Sequence, residues 1–132
     1  MTAHAEGTSS VTAWNESTCQ ELDGKARLTR ATVTFSFSGD LAGEGTWDAV
    51  MYYRTDGTAV FTGLQRVTGQ LGGRDGTFVL QADGTFADGE ARSRWQIVAG
   101  SGTGDLMALR GSGSAVATSD PTGEFSLDYE LD

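Results

Sequence analysis

The chain has 132 residues, 38% hydrophobic and 20% charged, a composition typical of one folded globular domain rather than of a disordered chain. Its formal net charge of −9 disfavours nucleic acid and anionic membrane surfaces as partners. No segment approaches the roughly 20 consecutive apolar residues of a membrane span, and a single cysteine excludes an internal disulfide.

Apolar and polar residues alternate along most of the chain, which is the pattern of half-buried strands. TRATVTFSFSG shows it in the first third of the sequence, and EFSLDYEL repeats it near the C-terminus. Asp-Gly and Gly-Gly pairs interrupt the alternation, as do further predicted turns around Gly39–Glu44 and at Asp120–Gly123. The resulting predicted strands are residues 4–15, 26–38, 45–54, 58–70, 76–86, 90–98, 110–117 and 123–131.

The short gaps between these strands favour antiparallel hairpins. Eight such strands with one apolar face close most naturally into an up-and-down barrel, because closure leaves no exposed sheet edge. Only Asp105–Leu109 could form one helical turn. The chain is therefore predicted to be a single all-β domain over residues 1–132, an eight-stranded antiparallel barrel with essentially no helix.

The glycine-rich stretch WQIVAGSGTGDLMALRGSG raises the question of a phosphate-binding loop. A Walker loop needs a lysine after its last glycine, but the only lysine in the chain is Lys25. A dinucleotide fingerprint needs a third glycine and a full helix, and neither follows Gly104. We therefore expect the glycines to let the chain cross one barrel end, with Leu106, Met107 and Leu109 closing that end.

Residues for nucleophilic or metal chemistry are scarce. His4 and Cys19 are the only histidine and cysteine, and they fall at the start of the first strand and near the first turn. A zinc or iron site needs several such ligands, and the spread of Asp-Gly pairs fits turns better than a calcium loop. No metal or cofactor is predicted.

The inward face of the predicted barrel is the remaining candidate site, since small barrels either pack solid or hold one small ligand. Three polar inward residues are the catalytic candidates: Gln65, Tyr53 and Tyr129. The candidate substrate-binding residues are Phe35, Phe37, Trp47, Met51, Phe61, Phe78, Ala82, Trp95 and Phe125. Each of these side chains could equally be plain core.

The segments GDLAGEGTWDAVMYYRTDGTAVFTGLQRVTGQLGGRDGTFVLQADGTF and WQIVAGSGTGDLMALRGSG resemble a bacterial family called domain of unknown function 3224. The most specific part is Gly100–Gly111, which matches a G-S-G-T-G-[DE]-L-x-x-L-R-G pattern. The resemblance implies a barrel like that of allene oxide cyclase, related in shape to dirigent proteins. It implies no settled activity.

The chain departs from the family pattern at three positions. Gln65 stands where a glutamate is usual, Ala82 where a histidine is usual, and Ser9 where an aromatic residue is common. The first two lie on inward positions, whereas the facing of Ser9 is less certain. Loss of a glutamate and a histidine would remove a possible acid/base pair. Ser9 and Ala82 would enlarge the interior for a bulkier, more apolar guest.

Three functions follow as expectations. The first is a cofactor-independent cyclase or isomerase that holds a reactive polyene or polyketide in one conformer within a dry cavity. The second is a non-catalytic binder or carrier of an apolar small molecule. The third is a solid-cored protein that acts through its surface. The N-terminal segment MTAHAEGTSS lacks the pattern of a signal peptide, so a cytoplasmic location is expected. Assembly into a homo-oligomer stays open.

Overall fold

In the computed structural model, which describes residues 2–118 and 122–131, antiparallel strands close into a barrel in the order β1 to β8. Each strand pairs with its neighbour in sequence, and β8 pairs back with β1. The strands are β1 Thr2–Glu21, β2 Arg27–Gly39, β3 Leu41–Tyr53, β4 Ala59–Leu71, β5 Arg74–Ala87, β6 Glu90–Ile97, β7 Arg110–Ala117 and β8 Thr122–Glu130. The predicted eight-stranded up-and-down barrel is confirmed.

The first strand is longer than predicted. It was expected to end at residue 15, but it continues to Glu21. Residues 7–21 pair with β2, whereas pairing with β8 extends only over residues 2–10. Beyond Ser10 the strand is therefore one half of a two-stranded ribbon. This part is mostly exposed on both faces, so it lacks the alternation that marks a half-buried strand.

The third strand also begins earlier than predicted. The glycines and glutamate after Gly39 suggested a turn up to Glu44, but β3 already starts at Leu41. The turn is tightened by Asp40, whose carboxylate accepts a hydrogen bond of 3.0 Å from the backbone N–H of Glu6. The turn predicted at residues 120–123 lies largely outside the described residues.

Helical structure among the described residues is limited to two 3-10 turns, at Asp23–Lys25 and Gly104–Leu106. The second overlaps the one helical turn that the sequence predicts at Asp105–Leu109 and begins one residue earlier. Within the same described ranges, no helix is long and apolar enough to cross a membrane.

The glycine-rich loop after β6 closes one end of the barrel. Its backbone bonds to the part of β5 that β6 does not reach, through Val98 N–H to Val79 C=O and Thr103 N–H to Thr77 C=O. The loop inserts Leu106 and Leu109, which are 0% and 1% exposed. The prediction that Met107 helps to close this end is wrong, because that side chain is 72% exposed. The loop thus closes this end of the barrel, and several of its N–H groups donate to backbone carbonyls of the chain itself.

The interior of this closed end is packed with aliphatic and aromatic side chains. Fully buried residues there include Leu41, Leu71, Phe78 and Leu80. Burying each such side chain stabilises the fold by roughly 1.5–3 kcal/mol. The packing does not continue to the opposite end, where the barrel is open.

Candidate functional site

A cavity of about 410 Å³ occupies the open half of the barrel. Residues from all eight strands line it, and no charged side chain is among them in the described part of the chain. Trp14 and Phe86 stand at its mouth, 48% and 40% exposed. The volume lies within the roughly 300–1,000 Å³ range of small-molecule sites.

Most of the predicted site residues meet at this cavity. Of the catalytic candidates, Gln65 and Tyr53 line it. The predicted substrate-binding residues that line it are Phe35, Phe37, Trp47, Met51, Phe61, Ala82 and Trp95. The alternation of each strand predicts that these side chains face inward, and the barrel brings them together around one cavity.

Three predicted residues do not line the cavity. Phe78 is buried in the packed end. Phe125 is buried in the core, where its ring is stacked on that of Trp95 with ring centroids 5.4 Å apart. Tyr129 lies at the closed end, where its hydroxyl covers Gly72 in the β4–β5 turn. The alternation of the strand predicts the face of Tyr129 correctly, but it carries no information on the height of the residue along the barrel. The prediction that Tyr129 lies at the substrate site is therefore wrong.

The aromatic wall is interlocked by edge-to-face contacts. Trp47 and Phe61 meet with ring centroids 5.3 Å apart at an interplanar angle of 85°. Phe37 and Trp95 meet at 6.1 Å and 90°. Such pairs add roughly 0.5–1.5 kcal/mol each beyond the area that they bury. The wall therefore has a defined shape rather than that of a fluid apolar lining.

Gln65 is the polar residue of the deep wall. It is 3% exposed and lines the cavity. Its amide lies over Gly45 of the neighbouring strand, where an added Cβ would come within 2.8 Å of Nε2. Glycine at position 45 thus leaves the space in which the amide sits.

Trp47 is the cross-strand partner of Gln65 and carries an N–H group that makes no hydrogen bond in the described part of the chain. Its indole Nε1 is buried without a hydrogen-bond acceptor among the described residues. The nitrogen lies over Gly63, where an added Cβ would approach it to 2.8 Å. Two adjacent inward positions therefore hold polar groups that the fold itself leaves unpaired.

A polar cluster at the rim centres on Glu16. Its carboxylate accepts hydrogen bonds from Thr29 Oγ1 at 2.5 Å, Tyr53 OH at 2.7 Å and Trp14 Nε1 at 3.0 Å. The guanidinium of Arg27 lies 4.7 Å from the centre of the Tyr53 ring. Glu16 thus fixes two side chains, Trp14 and Tyr53, that line the mouth of the cavity.

Ionisation of this cluster follows from its contacts. Partial burial opposes charge on Glu16, but the hydrogen bonds from Thr29, Tyr53 and Trp14 and the charge of Arg27 lower its pKa below the usual value. Burial, the hydrogen bond to Glu16 and the charge of Glu16 raise the pKa of Tyr53 to about 12. At neutral pH the carboxylate is charged, and the phenol keeps its proton and donates it to Glu16.

Sequence reasoning missed Glu16 and Trp14. The predicted strand stopped at residue 15, and a bulge between Val11 and Ala13 shifts the alternation by one residue. Val11 and Trp14 both face inward because of this shift. Trp14 and Glu16 are two residues apart and therefore share a face of the strand. That this face is the inward one can be recognised only once the bulge is known.

His4 and Cys19 do not form a catalytic pair. They occupy opposite parts of β1, separated by roughly 50 Å of extended strand. His4 Nδ1 and Nε2 lie 2.7 Å from Asp128 and 3.0 Å from Glu6 on the barrel exterior. Cys19 is an exposed free thiol. Within the described ranges, no group of three His, Cys, Asp or Glu side chains could hold a metal ion.

The sequence matches the family model described as "Protein of unknown function (DUF3224)" over residues 5–129. The chain belongs to this family. A DUF3224 family protein of unknown function from Shewanella oneidensis MR-1 has a similar crystal structure, with a TM-score of 0.84 and 22% sequence identity. The similarity covers 100% of this chain and 99% of that one. The chain matches no curated protein at a significant level.

The three positions at which the resemblance implies a departure from the family pattern fall in one place. Ser9, Gln65 and Ala82 all line the cavity, and this resolves the facing of Ser9. Ala82 lies between Gly63 and Trp95 in the sheet, so the wall carries little side-chain bulk on its β4 side. These three residues therefore bear on the size and polarity of the interior.

Proposed function

We propose that this DUF3224 barrel binds an apolar small molecule in its interior. The observation that carries the proposal is the open cavity of about 410 Å³, lined by aromatic and small side chains with no charge among them. An eight-stranded barrel is narrow enough for its own side chains to fill it. Here alanines and serines stand at inward positions instead, which disfavours the solid-cored alternative.

The exterior supports a small-molecule ligand rather than a polyanionic partner. The chain carries a formal net charge of −9, and no charged side chain of the described residues lines the cavity. Nucleic acid and anionic membrane surfaces would be repelled. A cytoplasmic location and assembly with further copies remain part of the proposal, as does the likeness to the allene oxide cyclase barrel.

A fluorescent neutral probe tests binding. N-Phenylnaphthylamine is expected to bind the wild-type protein saturably with one-to-one stoichiometry and to brighten in the apolar interior. Ala82→Phe places a ring inside the cavity and is expected to weaken binding at least about tenfold, a loss of about 1.4 kcal/mol. Thr85→Phe adds the same ring on the exposed face of β5 and should leave binding unchanged.

Two results would overturn the proposal. The first is an absence of saturable binding to the wild-type protein. The second is equal binding to the wild type and a folded Ala82→Phe variant, because the probe would then sit elsewhere. Circular dichroism and melting curves of both variants establish that they are folded.

A second candidate function is a cofactor-independent cyclase or isomerase acting on a polyene or polyketide. The interlocked aromatic wall favours it, because edge-to-face contacts between Trp47 and Phe61 and between Phe37 and Trp95 define a shape that can hold one conformer. Gln65 would polarise a carbonyl of the guest. Tyr53 is less suited, since its single proton is donated to Glu16.

Isomerisation and simple binding differ in what leaves the protein. Lipid-soluble extracts of the host would be incubated with the protein and analysed by chromatography and mass spectrometry. A cyclase or isomerase converts one species to another of identical mass and different retention time, catalytically and with dependence on Gln65. Recovery of bound molecules that are never altered would rule out this second function and leave the carrier.

A further inference from the structure

The deep wall of the cavity contains an amide that the fold does not satisfy. Gln65 is 3% exposed, and within the described ranges neither the NH₂ group nor the oxygen of its side-chain amide has a hydrogen-bond partner. An amide side chain offers two donors and one acceptor oxygen. Among the described residues, the side-chain nitrogen or oxygen that is buried without a partner is the neighbouring Trp47 Nε1, and such a group costs about 1–3 kcal/mol.

The amide of Gln65 lies far from the mouth of the cavity. Gln65 pairs with Leu80, a residue of the fully buried packed end, and it faces Trp47 on the other side. The amide is thus at the inner end of the cavity. The mouth, by contrast, is flanked by the exposed rings of Trp14 and Phe86.

The charge around the cavity restricts the group that can meet this amide. No lysine, arginine or histidine lines the interior among the described residues. A buried carboxylate would therefore lack a counter-ion, which is strongly unfavourable. The carboxylate of Glu16 at the rim would also repel an anion that enters.

We propose that the ligand is an apolar molecule with one neutral polar group, a carbonyl, hydroxyl or carboxamide, which enters first and hydrogen-bonds to Gln65. This inference rests on the proposed function, because it assumes that the cavity binds a small molecule. The apolar remainder of the ligand contacts the aromatic wall and points to the mouth. Fatty acids and other anionic amphiphiles are disfavoured ligands.

Three probes of nearly equal shape test the polar contact: acetylnaphthalene, ethylnaphthalene and naphthoate. Their affinities would be measured by calorimetry on the full chain. The wild-type protein is expected to bind acetylnaphthalene about tenfold more tightly than ethylnaphthalene, the value of one well-formed hydrogen bond. Naphthoate is expected to bind most weakly.

Two variants separate the amide from the rest of the cavity. Gln65→Met keeps an unbranched side chain of similar length and removes the amide, so the preference for the acetyl probe is expected to disappear while ethylnaphthalene still binds. Gln81→Met makes the same change on the exposed face of β5 and should keep the preference. A readout that needs no variant is the side-chain ¹⁵N–¹H signal of Gln65, which should shift with acetylnaphthalene far more than with ethylnaphthalene.

The outcomes distinguish the two proposals. If none of the three probes binds the wild-type protein, the proposed function itself fails. If both neutral probes bind with equal affinity, or if naphthoate binds best, the cavity is a binding site but the neutral polar contact is wrong. A preference that persists in Gln65→Met, with an unmoved Gln65 signal, would assign the polar contact to another residue.

Discussion

Glu16 organises the rim of the cavity through a single carboxylate. Trp14, Thr29 and Tyr53 lie on three different strands, and each donates one hydrogen bond to it. The carboxylate thereby joins β1, β2 and β3 at the place where the barrel opens. Because the three bonds favour the charged form, they should weaken when the group is protonated.

Replacement of Glu16 by glutamine should make stability depend less on pH. A group whose pKa is lowered by folding stabilises the protein above its unfolded pKa, here about the ordinary value of 4.5, and this contribution is lost as pH falls through the folded pKa. Glu16→Gln should therefore be less stable than the wild type at neutral pH. The difference in unfolding free energy should shrink in acid, as measured by urea denaturation across pH.

The control for this prediction is Glu21→Gln. Glu21 is an exposed residue of the same strand, and its side chain makes no hydrogen bond within the described ranges. Its stability difference should be small at every pH. A constant destabilisation of Glu16→Gln from neutral to acidic pH would contradict the role given to the charge.

Gln65 and Glu16 mark how far sequence reasoning extends at the residue scale. Gln65 was predicted because strict alternation within β4 gives its face. Glu16 was missed because one bulged residue in β1 reverses the parity that follows it. Tyr129 had the correct face and the wrong height, since alternation carries no information on how strands are staggered around a barrel.

The loop between β6 and β7 closes one end of the barrel. Leu106 packs against Gly76 of β5, where an added Cβ would approach its side chain to 3.2 Å. The loop backbone is bonded to Val79 and Thr77, in the part of β5 that β6 does not reach. Sequence reasoning identified the loop as structural from its lack of lysine and helix, but it could not tell which leucine or methionine points inward.

Truncation of Leu106 should therefore be costly, and truncation of Met107 should not. Leu106→Ala is expected to lower the unfolding free energy by about 2–5 kcal/mol, because it leaves a cavity at a site that is fully packed. Met107→Ala should change it by less than about 0.5 kcal/mol, since the side chain is mostly exposed. Urea denaturation measures both, and equal effects would show that the loop does not close the barrel as described.

The second half of β1 is a different kind of element from the rest of the sheet. Residues 11–21 pair with β2, and no described strand lies on their other side. β4, in contrast, pairs with β3 and β5 along its whole length. The ribbon should therefore be the least stable part of the sheet.

Amide hydrogen exchange measured by NMR tests this difference. Amides of residues 11–21 that point away from β2 should exchange about two orders of magnitude faster than those of β4, in alternation with slower amides bonded to β2. The comparison should be made at two protein concentrations. Uniform protection along residues 11–21 would mean that another surface covers this edge, and protection that rises with concentration would point to a second copy.

At the scale of the whole molecule, charge and apolar surface are separated. The chain has a formal net charge of −9, while the cavity is lined without a charged side chain among the described residues. This division suits a protein that stays dispersed in water and encloses an apolar guest. Composition predicted the acidic surface, and periodicity predicted the apolar interior. Neither could predict that the interior is open, because openness depends on the summed volumes of side chains from eight strands.

The most direct test of an interior binding site uses the tryptophans. The chain has three, and Trp14, Trp47 and Trp95 all line the cavity. Their indole ¹⁵N–¹H signals would be followed while ethylnaphthalene is added. We predict saturable shifts of the Trp47 and Trp95 signals, with little change in backbone amides on the outer strand faces. Unmoved indole signals, or shifts confined to the outer surface, would contradict an interior binding site.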